Sequence, residues 1–235
     1  MKTRFYERTA YRLSEETVPS CFIKLDDYFG ERFTAANVAA THVHVMLAEL
    51  VCSRLADIEM YAFLIEDARK RHGLDKDSDV RGSILTRSFF IGYLGATRGL
   101  LESVAVTLAT LYKLTVSRGE RNFGNSDFWH QLVTVAPTVH RRYHPMRLFF
   151  NELLRWCNET AAHVPTLMVS YQHFGQFSSR EMHLRALDDP TADLGQMLVE
   201  PLRLQWIDPL HLHDRWKPKF LSLCEKVCED IELCT

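Results

Sequence analysis

The stretch from Ser88 to Leu114, SFFIGYLGATRGLLESVAVTLATLYKL, decides the fold. One set of its residues recurs at alternating spacings of four and three, namely Phe90, Leu94, Thr97, Leu101, Val104, Leu108 and Leu111. This period predicts one buried stripe of a long α-helix. A parallel stripe consists of small residues, Gly92, Ala96, Gly99 and Ser103, and predicts that a second helix approaches closely.

The sequence on either side of this stretch predicts further helices. Thr34 can cap a long helix that ends near His72, before Gly73. Another helix is expected after Pro145, and its apolar arc is formed by Phe149, Phe150, Leu153, Leu154, Trp156, Cys157 and Ala161. A last helix is expected from about Lys219 to Leu233, with Phe220, Leu223, Val227 and Ile231 on one face. The fold class is therefore mainly α, a bundle of at least four helices.

A single domain over residues 1–235 is the simplest organisation, because the chain shows no linker and no internal repeat. Its bundle core is expected over 34–165 and its C-terminal helix within 208–235. The segment 166–207 lacks a helical period and is rich in strand formers and turn residues. We therefore expect a small β-hairpin there, near the C-terminal third.

The composition excludes several broad classes of protein. A net charge of −2 provides no global field that would attract nucleic acid or an anionic membrane, so such a partner needs a local patch. Arg98 and Glu102 lie within the most apolar run, which argues against a membrane span. The N-terminus lacks the apolar core of a secretory signal, and the expected location is the cytoplasm.

Cysteine and histidine pairs raise the question of a metal. Cys224 and Cys228 are four apart on a predicted helix, but no second pair matches them, so reduced thiols are expected. His211 and His213, in DPLHLHDRW, would face one way in an extended segment. A metal-dependent enzyme that uses these two histidines is one functional hypothesis. Since the sequence fixes no third ligand, no metal or other cofactor is predicted.

The segment HRRYHPMR, from His140 to Arg147, carries the strongest binding signal. It belongs to a run predicted to be a turn-rich break, after a short helix capped by Ser126 or Asp127. Cationic groups beside an aromatic ring can contact the phosphates and a base of single-stranded nucleic acid. The residues predicted to bind RNA are Arg141, Arg142, Tyr143 and Arg147. The alternative is an exposed loop whose charges pair with nearby acids.

A family resemblance follows from TRGLLES at Thr97–Ser103, then a polar break, a DFW segment and a helix that ends in NETAAH, from Asn158 to His163. This order resembles the HEPN-like helical bundles over roughly residues 35 to 165. Ribonuclease members of that family carry Arg, a polar residue, four residues and His. Asn158 and His163 match this motif, whereas Cys157 occupies the Arg position and Arg155 lies two residues earlier.

The resemblance implies metal-independent action of His163, Asn158 and Arg155 on RNA, weakened or lost without the family's Arg. It also implies a homodimer, because such bundles commonly pair through their helix faces. The function expected is thus an RNA-associated HEPN-like protein with weak or lost ribonuclease activity. The alternative is a non-catalytic dimeric module for protein interaction, in which His163 merely contacts helix carbonyls.

Overall fold

The structure, a computed structural model, describes residues 19–32, 38–72, 80–161, 168–170, 176–178 and 208–234. Its α-helices are α1 (Ser20–Arg32), α2 (Val38–His72), α3 (Val80–Leu111), α4 (Ser126–Val135), α5 (Pro137–Tyr143), α6 (Arg147–Ala161) and α7 (Pro209–Cys234). Two 3₁₀ turns cover Arg118–Glu120 and His144–Met146. The mainly α, helical-bundle prediction is confirmed.

Short strands occur in the segment where a hairpin was expected. β1 (Met168–Ser170) and β2 (Gln176–Ser178) pair in antiparallel fashion, with Val169 opposite Phe177. The rest of segment 166–207 lies outside the described residues.

Several helix boundaries differ from the predictions for local reasons. α7 begins at Pro209 rather than near Lys219, because the Asp208 carboxylate accepts a hydrogen bond from the Leu210 amide at 2.8 Å and caps the helix. α4 is capped by Asn125, whose side chain accepts from the amides of Asp127 and Phe128. The expected caps Ser126 and Asp127 are instead the first residues inside α4.

The described residues belong to two compact units. The first unit consists of residues 1–58, 96–154 and 217–235, and the second of 59–95 and 155–216. Each of the long helices α2, α3, α6 and α7 contributes residues to both units. The organisation as a single domain remains a prediction.

The core of the first unit is aromatic around Phe123. The Phe123 ring stacks on Phe150 with centroids 4.2 Å apart, and meets Phe128 edge to face at 5.3 Å. The expected stripe of α3 is buried here at Leu101, Val104 and Leu108. Apolar burial of this extent is the main stabilising contribution to the unit.

The core of the second unit is built around Tyr93 of α3. Its ring stacks on Trp216 of α7 at 6.3 Å, and its hydroxyl lies 3.2 Å from Nδ1 of His213. Arg69 holds the start of α7 through two contacts of 2.9 Å from Nη1 to the Asp208 carboxylate. α2, α3 and α7 are thus tied together within this unit.

The small residues of α3 allow the close helix contact that the sequence predicted. A methyl group at Gly92 would overlap the Tyr61 ring of α2, whereas nothing lies within 4 Å of a methyl group at the exposed Gly95. Gly95→Ala should raise the free energy of unfolding by about 0.5–1 kcal/mol, the difference in helix propensity. Gly92→Ala should lower it by about 1 kcal/mol, because Tyr61 must move. Urea denaturation measures both, and equal stabilisation by the two changes would contradict the packing.

Candidate nucleic-acid interface

The basic segment is helical rather than a turn-rich break. His140 to Tyr143 form the second half of α5, His144 to Met146 form a 3₁₀ turn, and Arg147 begins α6. Pro137 at the first turn of α5 and Pro145 in the 3₁₀ turn suit positions where no helical amide bond is lost. The helical geometry turns some members of the segment toward the core and others toward solvent.

Tyr143 and Arg142 point inward, toward Asp230 of α7. The Tyr143 hydroxyl donates to one carboxylate oxygen of Asp230 at 2.7 Å, and Arg142 Nη1 donates to the other at 2.8 Å. The Tyr112 hydroxyl donates to that second oxygen too, also at 2.8 Å. We call these four residues the Asp230 network.

The RNA contacts predicted for Tyr143 and Arg142 remain predictions, but the structure leaves little access to either side chain. Tyr143 is fully buried, so no base can stack on its ring without opening the core. The Arg142 side chain is only 27% exposed, and its charge is committed to Asp230, with Glu229 at 3.6 Å. Their role in this structure is to join α5 to α7.

Burial dominates the electrostatics of the Asp230 network. It raises the pKa of Asp230 although the two tyrosine hydroxyls and Arg142 act in the opposite direction. Burial and the neighbouring carboxylate also raise the pKa of Tyr143 and of Tyr112, so both phenols remain hydrogen-bond donors well into alkaline solution. The network therefore holds one buried acid among three donors.

The outward members of the segment form a second group. His140, Arg141, His144 and Arg147 are exposed or half-buried, and we call them the basic cluster. The rings of His140 and His144 lie 4.9 Å apart. Trp129 of α4 lies beneath them, with its ring centroid 5.8 Å from His140, 6.1 Å from His144 and 5.9 Å from the Arg147 guanidinium.

Positive charge in the basic cluster has no local compensation in the part of the chain that the structure describes. None of Arg141, His144 and Arg147 forms an ion pair with a described carboxylate. Desolvation, then His144 and Arg147, lower the pKa of His140. An anion bound here would relieve this repulsion and favour protonated His140.

The structure describes some residues of the ribonuclease-like motif and not others. Arg155 is half-buried on α6, and Asn158 lies on the same helix. His163 lies outside the described residues, so its predicted role stays a prediction. Cys157, at the family's Arg position, is fully buried, and its thiol donates to the Leu94 carbonyl at 3.2 Å. The expected apolar position of Cys157 is confirmed.

The histidines of DPLHLHDRW lie on α7 and not in an extended segment. His211 is exposed, whereas His213 is buried against Tyr93, with Nε2 3.7 Å from a Glu59 carboxylate oxygen. Residues two positions apart on a helix face different directions, so His211 and His213 do not converge on one ion. Among the described residues, no group of three or more potential ligands is placed to hold a metal ion.

Sequence reasoning missed Asp230 and Trp129. Asp230, in CEDIEL, looks like one of several helix-surface acids; the signal available was its place beside the apolar positions Val227 and Ile231. Trp129 was recognised only as part of a DFW segment. Its indole N–H donates to the Phe123 carbonyl at 2.8 Å, which fixes the floor of the basic cluster.

Comparisons with family models, with curated proteins and with solved structures find no match for this chain. Within the ranges that the structure describes, none of the helices combines the length and apolarity needed to cross a membrane. The function is therefore inferred from the contacts, burial and charges of the described residues.

Proposed function

We propose that the chain is a HEPN-like helical protein that binds single-stranded RNA through the basic cluster, with weak or lost ribonuclease activity. The observation that carries this proposal is the arrangement of the basic cluster, with His140, His144 and Arg147 around Trp129 and Arg141 next to His140, without described carboxylate partners. Phosphate contacts supply most of the affinity of sequence-independent RNA binding.

The chemistry of the cluster suits phosphates better than bases. Arg141 and Arg147 provide permanent charge, and the two histidines add charge when they are protonated. The available ring, Trp129, is only 6% exposed and is covered by Arg147 and the histidines. We therefore infer binding with little sequence preference and without a deep base pocket.

The residue at position 157 is the reason that we infer weak or lost catalysis. A ribonuclease of this family would use an Arg there to stabilise charge on the scissile phosphate. Cys157 provides no charge, and burial of a cation at this position would be costly. Any residual cleavage would depend on His163 and would need no metal.

Reversing two charges of the cluster tests the binding site. Arg141→Glu with Arg147→Glu should weaken binding of a single-stranded RNA oligonucleotide by roughly tenfold or more at low salt, because two phosphate contacts become repulsive. Fluorescence anisotropy measures the affinity. Arg142 is unsuitable for this test, since Arg142→Glu would place a second carboxylate beside Asp230.

Lys70→Glu is the matched control, because Lys70 is a well-exposed cation of α2 outside the cluster. It should leave the affinity within about twofold, since it removes no phosphate contact. Equal losses from the cluster variant and from Lys70→Glu would refute a local site. No binding of RNA by the wild-type chain at low salt would refute the proposal altogether.

A homodimeric interaction module is the second candidate function. It is favoured by large apolar side chains that are exposed in the second unit, Phe63 (60%), Ile84 (58%), Met60 (39%) and Ile91 (37%). Light scattering should then give about twice the mass of one chain, and Phe63→Glu with Ile84→Glu should give the monomer. A dimer that lacks RNA affinity would make this module the function.

A further inference from the structure

A cavity of about 290 Å³ in the first unit brings two cysteines together. It lies between α1 and α7, and its lining includes Cys21 of α1 and Cys228 of α7. The two thiols lie close enough for each to shift the pKa of the other. Both cysteines are reduced, Cys21 half-buried and Cys228 buried. The cavity gives small solutes access to a thiol pair.

The two thiols are chemically different. The hydrogen bond from Cys228 is the main cause that lowers the pKa of Cys21, against the opposing effects of burial and Glu225. The same bond and burial raise the pKa of Cys228 well above its ordinary value. A thiolate is the reactive form of cysteine, so Cys21 is the nucleophile of the pair and Cys228 is the resolving cysteine.

The charge of the cavity selects the kind of oxidant. Among the described residues, the cavity is lined by one cation, Lys24 of α1, and by three carboxylates of α7, those of Glu225, Glu229 and Glu232. This acidic lining disfavours anionic disulfides such as oxidised glutathione, and the volume is small for a molecule of that size. A small neutral oxidant meets neither obstacle.

We propose that Cys21 and Cys228 form a thiol pair that hydrogen peroxide oxidises to a disulfide between α1 and α7. Cys21 loses its thiol proton, and the thiolate attacks one peroxide oxygen; an S–O bond forms, the O–O bond breaks, and the departing hydroxide combines with the released proton to give water. Cys228 sulfur then attacks Cys21 sulfur; an S–S bond forms, the S–O bond breaks, and the second hydroxide takes the Cys228 proton. Two thiols lose two electrons and peroxide becomes two waters.

Peroxide treatment of the reduced full-length chain tests this site. Intact mass under non-reducing conditions should fall by two hydrogen atoms, and peptide mapping should find Cys21 linked to Cys228. Cys228→Ser should stop the reaction at a Cys21 sulfenic acid, which dimedone traps. Cys234→Ser is the matched control, because Cys234 is the half-buried cysteine of the same helix, and it should leave the disulfide unchanged.

Three results would overturn the proposal. The first is an unchanged mass at peroxide concentrations that oxidise a free thiol. The second is a disulfide from Cys21 to Cys224, which is the other buried thiol of α7 near Cys21. The third is a faster reaction of Cys21 with oxidised glutathione than with peroxide. The peptide map uses the wild-type chain, so the outcome does not depend on the folding of a variant.

Discussion

Replacing Asp230 by alanine is expected to lower the free energy of unfolding by about 3 kcal/mol. The carboxylate is fully buried and accepts hydrogen bonds from Tyr143, Tyr112 and Arg142. Its removal leaves the Tyr143 hydroxyl as a buried donor without a partner, while Arg142 and Tyr112 are partly exposed and can turn to water. Urea denaturation followed by circular dichroism measures the loss.

The neighbouring Glu229→Ala provides the matched control. Glu229 also faces Arg142, but its carboxylate is 65% exposed and 3.6 Å away, so the change should cost under about 0.5 kcal/mol. Tyr143→Phe in the Asp230→Ala background should restore part of the loss by removing the orphaned hydroxyl. Equal effects of Asp230→Ala and Glu229→Ala would show that the network does not stabilise the fold.

Leu101→Arg should also lower the free energy of unfolding, by about 3 kcal/mol or more. Leu101 is 1% exposed on α3, so the guanidinium would be buried in the apolar core. Thermal unfolding should show a large fall in midpoint, or the variant should fail to fold.

Thr110→Arg introduces the same side chain at an exposed position of α3 and serves as the control. It lies in the last turn of the helix, where a cation interacts favourably with the free carbonyls. The expected change in stability is within about 0.5 kcal/mol. Similar stabilities of the two variants would mean that the buried face of α3 is assigned wrongly.

The buried faces of α3 and α6 could be predicted from the spacing of apolar residues along each helix. The stripe of α3 is buried from Phe90 to Leu108, while Leu111 at the helix end is half-buried. The arc of α6 is buried at Phe149, Phe150, Leu153, Trp156 and Cys157. Spacing along one helix decides which residues share a face, so such faces can be inferred without knowledge of the partner helix.

The direction of each side chain in the basic segment could not be predicted in the same way. HRRYHPMR contains Pro145 and begins three residues after Pro137, and two prolines so close together predict a turn-rich break. The chain instead forms α5 and a 3₁₀ turn, which buries Tyr143 and exposes Arg141 and His144.

The partner of Tyr143 was also hidden from the sequence. Asp230 lies 87 residues away along the chain, and no local pattern connects the two. Contacts between distant segments depend on how helices pack, and a single sequence gives no direct record of that packing. Of the residues that the sequence predicts to bind RNA, only Arg141 and Arg147 are exposed.

The salt dependence of RNA affinity at two pH values tests the central claim, that the basic cluster binds phosphates. At pH 8 the two arginines act alone, and the slope of log affinity against log salt should be roughly −1.4, from two contacts at about −0.7 each. At pH 5.5 a bound phosphate favours protonated His140, and three contacts at about −0.7 each should give roughly −2.1. Affinity should rise as the pH falls, because the complex binds more protons than the free chain. His140→Gln with His144→Gln should keep the shallow slope at both pH values. The same slope at both pH values in the wild-type chain would contradict the account.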